Sequence, residues 1–245
     1  MDVAMLTVEG GKANALTPEL LDAIERIIDG FERGPSRAGV LIGYERYFSA
    51  GLALTHIIDF DRDELRGFIQ HFSRVMSRVF VCRKPIVAAI NGHAIAGGCV
   101  LALMCDARIA ADDASIRIGL IESQLGIGLP AIVVEGLRFA VPPASLVPIA
   151  MEGALYSPAQ ALALGLVNET VASSELVARS TAMARALAAP GAAAVAQIKR
   201  ALRAPIAEVI TRTADWEVEA WLDTWFSTEA QQRLRAAVAK LRGAK

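Results

Sequence analysis

Apolar positions in the first half of the chain alternate between short unbroken runs and stripes at helical spacing. Val3 to Val8 and Gly39 to Ile42 are runs of the kind that predict buried strands. Between them Leu20, Leu21, Ile24, Ile27, Ile28 and Phe31 share one face of a 3.6-residue period, with Thr17 placed as N-cap and Pro18 at the first helical position. A second stripe, from Leu65 through Phe68, Ile69, Phe72, Val75 and Met76 to Val79, predicts a helix over about Arg62 to Val81. Pro85 stops it, Ile86 to Ile90 predicts a central strand, and Asn91-Gly92 is a turn signal. Gly97 opens another apolar helix, and Arg108 to Ala111 predicts a further strand. This recurrent order of strand and helix argues for an α/β domain with parallel strands.

Beyond about residue 145 the pattern changes. Ser157-Pro158-Ala159-Gln160 forms a capping-box pattern, and Gly165 is placed as the stop of that short helix. After Val171 the periodicity predicts almost only helix: Ser174 to Ala189, Gly191 to Arg203, Ile206 to Phe226 and Thr228 to Leu241, with Pro190 and Pro205 separating the first three. Residues 1–172 therefore read as a core and 173–245 as a helical C-terminal region, packed on that core, on a neighbouring subunit, or on both.

Composition narrows the function classes. Of 245 residues, 54% are apolar and 21% charged, which excludes disorder and supplies a large core without disulfides or metals. Twenty-five basic and 26 acidic residues leave a net charge of -1, so no global basic field for nucleic acid exists. Mean hydropathy is +0.41, yet the most apolar stretch, Pro85 to Met104, holds Asn91, His93 and several glycines and reads as strand, turn and helix, not as a membrane span. No signal-peptide pattern opens the chain, and Cys82, Cys99 and Cys105 form no CxxC pair; a cytoplasmic location with packed, reduced thiols is expected. His56, His71 and His93 are too scattered to suggest metal ligands, and no GxSxG elbow, GxGxxG or Walker A loop occurs.

Two glycine turns and one carboxylate remain as candidates. Phe48-Ser49-Ala50-Gly51-Leu52 follows a predicted strand, and Ala96-Gly97-Gly98 precedes an apolar helix. Small residues there let backbone approach a ligand, and two converging N–H donors suit a developing oxyanion. Glu122 lies among apolar residues and glycines, where desolvation would raise its pKa toward that of a useful base. Taken singly, the turns also read as plain turns, and Glu122 as a surface carboxylate.

In order and spacing, these segments resemble the enoyl-CoA hydratase/isomerase (crotonase) superfamily. The matching motifs are Phe48 to Leu52, Lys84-Pro85 leading to Asn91-Gly92, Ala96-Gly97-Gly98-Cys99, Cys105-Asp106 and Gly119 to Gly126, with Asn14-Ala15-Leu16 and Gly165-Leu166-Val167 in support. The resemblance implies a crotonase (ClpP-like) spiral of β-β-α units, an acyl-CoA thioester as ligand, and assembly as a homotrimer or dimer of trimers. No metal or redox cofactor is implied; coenzyme A enters as part of the substrate. Carried over by position, the backbone N–H groups of Leu52 and Gly97 form an oxyanion hole. The substrate and coenzyme A contacts fall on Asn14, Ala15, Leu16, Ala50, Gly51, Ala53, Leu54, Gly98 and Val100. Of the two acid positions of the hydratases, one carries Val100 here and the other Glu122. Within the superfamily the chain is most similar to mitochondrial-type Δ3,Δ2-enoyl-CoA isomerases, which implies one glutamate shuttling a proton from C2 to C4. Ala53 departs from the acid usual after the first-turn leucine. Another crotonase-type reaction, hydration included, and a non-catalytic acyl-CoA binder stay open beside the isomerase reading.

Overall fold

The computed structural model describes residues 2–243. Strand β1 (Val3–Thr7) and helix α1 (Pro18–Arg33) are followed by the strand pair β2 (Ala38–Ile42) and β3 (Tyr47–Ser49). Helices α2 (Leu54–Ile57) and α3 (Arg62–Phe80) lead to β4 (Ile86–Ile90) and β5 (His93–Ile95). Helix α4 (Gly97–Leu103) leads to β6 (Ala107–Ala111) and β7 (Ile118–Gly119). Helices α5 (Ala131–Ala140), α6 (Leu146–Glu152) and α7 (Pro158–Ala163) lead to β8 (Glu169–Val171), and α8 (Leu176–Ala188), α9 (Ala192–Trp225) and α10 (Thr228–Gly243) follow.

Each turn of this spiral lays one strand in a large parallel sheet, ordered β1-β2-β4-β6-β8, and the next in a small parallel sheet, ordered β3-β5-β7. This is the crotonase architecture with a helical C-terminal region. β4 and β6 are buried at every position, as strands of a sheet covered on both faces are. The predicted helices form where their caps dictate: Thr17 Oγ1 accepts from Leu20 N, and Asp61 with Glu64 closes a capping box ahead of α3. The apolar stripes of α1 and α3 face each other and bury Leu21, Ile24, Phe72 and Met76. The three strands of the small sheet were not foreseen, because runs of two or three residues carry no periodicity.

One boundary is corrected. Pro205 does not separate two helices; it lies inside the single 34-residue helix α9. A proline there removes one helical N–H, a cost of about 3 kcal/mol, but α9 is pinned on both sides. Before it, Lys199 Nζ binds Asp106 Oδ2 at 2.6 Å and Arg203 reaches Asp106 Oδ1 at 3.0 Å. Beyond it, Val218, Trp221, Leu222 and Trp225 are buried. Arg203 also donates to the carbonyls of Phe80 and Met104, at the ends of α3 and α4, where cations are favoured. The C-terminal helices thus pack on the core of their own chain: α8 covers β2 and β4, and α9 lies on α3 and α5.

Candidate functional site

Because β3, β5 and β7 are parallel neighbours, the segments that follow them emerge at one end of the small sheet, the place where open α/β sheets gather ligand-binding residues. Those segments are Ala50 to Leu54, Ala96 to Gly98 and Leu120 to Gly126, so the fold brings together the two glycine turns and the carboxylate.

The loop before α1 locks the first turn. Leu16 N donates to Gly51 O at 2.8 Å, Ala53 N to Leu16 O at 3.1 Å, and Ala50 N to Ala13 O at 3.0 Å. Ala53 is therefore anchored through its backbone without an acidic side chain. Ser49 Oγ donates to Asn14 O at 2.7 Å and accepts from Gly51 N at 3.2 Å. The Asn14 amide is fully buried and spent on backbone: its Nδ2 donates to Val8 O and Phe48 O, and its Oδ1 accepts from Gly10 N. In this structure Asn14 fixes the loop. Ala15 and Leu54 are half-buried, and Leu16 is fully enclosed.

The two turns touch. A side chain on Gly51 would stand 2.9 Å from Gly97 N and 2.8 Å from Ile95 O, and Gly51 has φ +86. A side chain on Gly98 would come within 2.1 Å of Ser49 O. The left-handed strain of the second turn falls not on Gly97 but on Ala96, with φ 50 and ψ -123. Ala96 N donates to Gly119 O at 2.8 Å, which ties this turn to the end of β7. Among the described residues, the N–H groups of Leu52 and Gly97 make no backbone hydrogen bond. Val100, one turn into α4, is completely buried.

Glu122 starts a 3-10 turn, Glu122–Leu125, and is the one buried acid among the described residues. Its Oε2 is sealed from solvent and has no hydrogen-bond partner. Burial pushes its pKa up to about 7, against the opposing pull of the backbone at Glu122 and Ile121. The first turn of α4 is close enough that the Glu122 charge adds to the effect of burial on Cys99, whose thiol is pushed up to about 12. Helix α10 covers this turn: Arg233 donates to Gln124 O at 3.1 Å, and Ala230 packs on Gly126. At its other end Arg242 donates to Thr55 O on α2.

All three cysteines are buried and unpaired. Among the described residues, Asp22, Glu25 and His71 form the single trio of possible metal ligands within 4.8 Å of one another. It lies on α1 and α3, outside the segments that carry Glu122, with Arg74 paired to Glu25. No described helix is long and apolar enough to cross a membrane. Sequence reasoning missed Ser49 as a clamp, Ala96 as the strained residue and α10 as the cover. No composition or period signals any of the three.

The sequence model described as enoyl-CoA hydratase/isomerase matches residues 2–241. The chain is 31% identical over 249 residues to a short-chain-enoyl-CoA hydratase of Clostridium acetobutylicum, covering 98% of this chain and 92% of that protein. It is 32% identical over 183 residues to enoyl-CoA delta isomerase 1, mitochondrial, of Homo sapiens, covering 74% of this chain. That alignment spans only 60% of the human protein, less than two thirds of its length. A crystal structure of human mitochondrial delta3-delta2-enoyl-CoA isomerase superposes with a TM-score of 0.93 at 28% identity, over 99% of this chain and 95% of that one.

Proposed function

Because the chain belongs to the enoyl-CoA hydratase/isomerase family, we propose that it is an acyl-CoA double-bond isomerase, converting 3-enoyl-CoA to 2-enoyl-CoA. The observation that carries this reading is a single buried carboxylate, Glu122, together with a fully buried Val100 at the position where the hydratases carry a second acid. Hydration uses two carboxylates, one to activate water and one to handle the α-proton. Isomerisation uses one. Glu122 takes the C2 proton, the electron pair moves into the thioester as an enolate, and the same carboxyl returns the proton at C4 as the double bond shifts. Charge gathers on the thioester oxygen, and the N–H groups of Leu52 and Gly97, free of backbone partners, are suited to receive it. A carboxyl with a pKa of about 7 serves both as base and as conjugate acid near neutral pH.

Hydration is the second reading, favoured by the nearly full-length likeness to the Clostridium protein. Turnover of trans-3-enoyl-CoA and trans-2-enoyl-CoA, against a coenzyme A control, separates the two and also a binder without activity. Faster hydration than isomerisation defeats the proposal, and no turnover of either substrate favours the binder. Val100→Glu restores the missing acid and should raise hydration per folded molecule, with a fold destabilised by a carboxylate placed in the apolar interior. Equal hydration rates in both proteins would mean that the missing acid is not limiting. The proposal extends to assembly as a homotrimer or dimer of trimers, for which light scattering should give three or six times the 26.0 kDa chain mass.

A further inference from the structure

Ser49, the last residue of β3, stands between the two glycine turns and touches both. It is completely buried. A carbonyl only accepts, so the single hydroxyl proton goes to Asn14 O at 2.7 Å, and a lone pair is left to accept Gly51 N–H at 3.2 Å. The bond to Asn14 crosses 35 positions of the chain, so the hydroxyl does more than close a local turn. On its other side Ser49 packs on α4. A side chain on Gly98 would come within 2.1 Å of Ser49 O and 2.8 Å of Ser49 Cβ, and only glycine allows that approach.

These contacts decide where two N–H groups point. In a trans peptide the N–H lies opposite the preceding C=O. Gly51 O is held by Leu16 N at 2.8 Å, so Leu52 N–H is turned to the side away from Leu16. Ala96 O is held by Val100 N at 3.0 Å, so Gly97 N–H is turned out of α4. Gly51, at φ +86, is the joint of the first turn: Ser49 fixes its N–H and Leu16 its C=O. A swing of the peptide before Gly51 would carry Leu52 N–H with it. Donors lower a barrier only where charge develops, and a misplacement of about 1 Å can cost about 10²-fold in rate. Resting on the oxyanion hole of the reaction proposed above, we propose that Ser49 is a positioning residue for that hole. Its hydroxyl holds Gly51 so that Leu52 N–H is aimed, and its backbone seats α4 so that Gly97 N–H converges on the same thioester oxygen. It acts through Gly51 and Gly98 and needs no contact with the substrate.

Cinnamoyl-CoA reads the aim of the donors directly, because its absorption band moves to longer wavelength as the thioester carbonyl is polarised. A red shift is expected on binding to wild type, and most of it should be lost on binding to Ser49→Ala. The position of the band belongs to the bound ligand and does not depend on the fraction of protein that is folded. In turnover of 3-enoyl-CoA, Ser49→Ala should lower kcat about tenfold with KM little changed, since the lost interaction is one that strengthens in the transition state. Ser49→Cys keeps a weaker donor and acceptor in the same place and should recover part of both effects. If the alanine variant does not fold, the cysteine variant decides: a red shift smaller than wild type supports the role, and a full one overturns it. A full red shift in folded Ser49→Ala, whatever its kcat, overturns the role of Ser49 and leaves the oxyanion hole standing. Absence of a red shift in wild type with the ligand bound removes the hole itself, and this role with it.

Discussion

In the reaction we propose, the chemistry falls on one side chain, Glu122, and its burial sets two measurable consequences. As the base, it is active when ionised, so kcat/KM should rise with pH along a single curve centred near 7. Glu122→Gln should lower turnover by roughly 10²–10⁴-fold while acyl-CoA binding persists. The same shift acts on stability with a definite sign. The folded-state pKa, about 7, lies above the ordinary 4.5, so the folded protein holds the proton more tightly than the unfolded chain does. The stabilisation from this proton is complete below about pH 4.5 and is lost as pH rises through 7. A shift of that size corresponds to about 3 kcal/mol. Denaturant melts should therefore show the glutamine variant gaining on wild type between pH 5 and pH 8; a constant difference across that range would mean that Glu122 is not desolvated. At the same scale, Asn14 was legible as a special position but not in its role. Its burial, and the spending of its amide on Val8, Phe48 and Gly10, follow from a loop crossing that no local pattern encodes.

Among the elements, α4 and α9 carry the local rules most visibly broken. Ala96 sits at φ 50 and ψ -123 immediately before the N–H of Gly97, a conformation costing of order 1–3 kcal/mol outside glycine. Ala96→Gly should raise stability by about 1 kcal/mol and lower kcat, because the turn is then free to leave the geometry that aims Gly97. A variant both more stable and fully active would show that the strain has no part in aiming the donor. In α9, Pro205→Ala restores a helical N–H and should stabilise the protein by up to about 3 kcal/mol. A fall in Tm would mean that the helix is built around the proline ring. Capping residues at Thr17 and Ser157 act where their sequence patterns place them, because a cap is a contact across three residues. The effect of Pro205 was misjudged for the opposite reason: its cost is local, but it is outweighed by contacts to Asp106, about a hundred positions away in the chain.

At the scale of the whole molecule, α10 closes over the end of the small sheet, holding Gln124 with Arg233 and Thr55 with Arg242. Truncation before Thr228 should open Glu122 to water. The midpoint of the pH–rate curve should then move from about 7 toward the ordinary carboxylate range, with loss of stability because the apolar burial that Leu234 and Val238 contribute is deleted with the helix. An unmoved midpoint in a folded truncation would assign the desolvation to the core alone. The sequence by itself determined the strand–helix alternation, the apolar faces of α1 and α3, the caps, and an ordered set of motifs sufficient to recognise the family. All of these are written in neighbouring residues or in a fixed period. Tertiary structure alone decided that β3, β5 and β7 form a second sheet, since strands of two or three residues gain definition only from their partners. It also decided that Glu122 is buried with an unpartnered oxygen. Burial is what raises its pKa; the first turn of α4 at Cys99 lies near its charge and α10 covers the turn that it starts, and the convergence of segments so distant in sequence is a property of the packed chain.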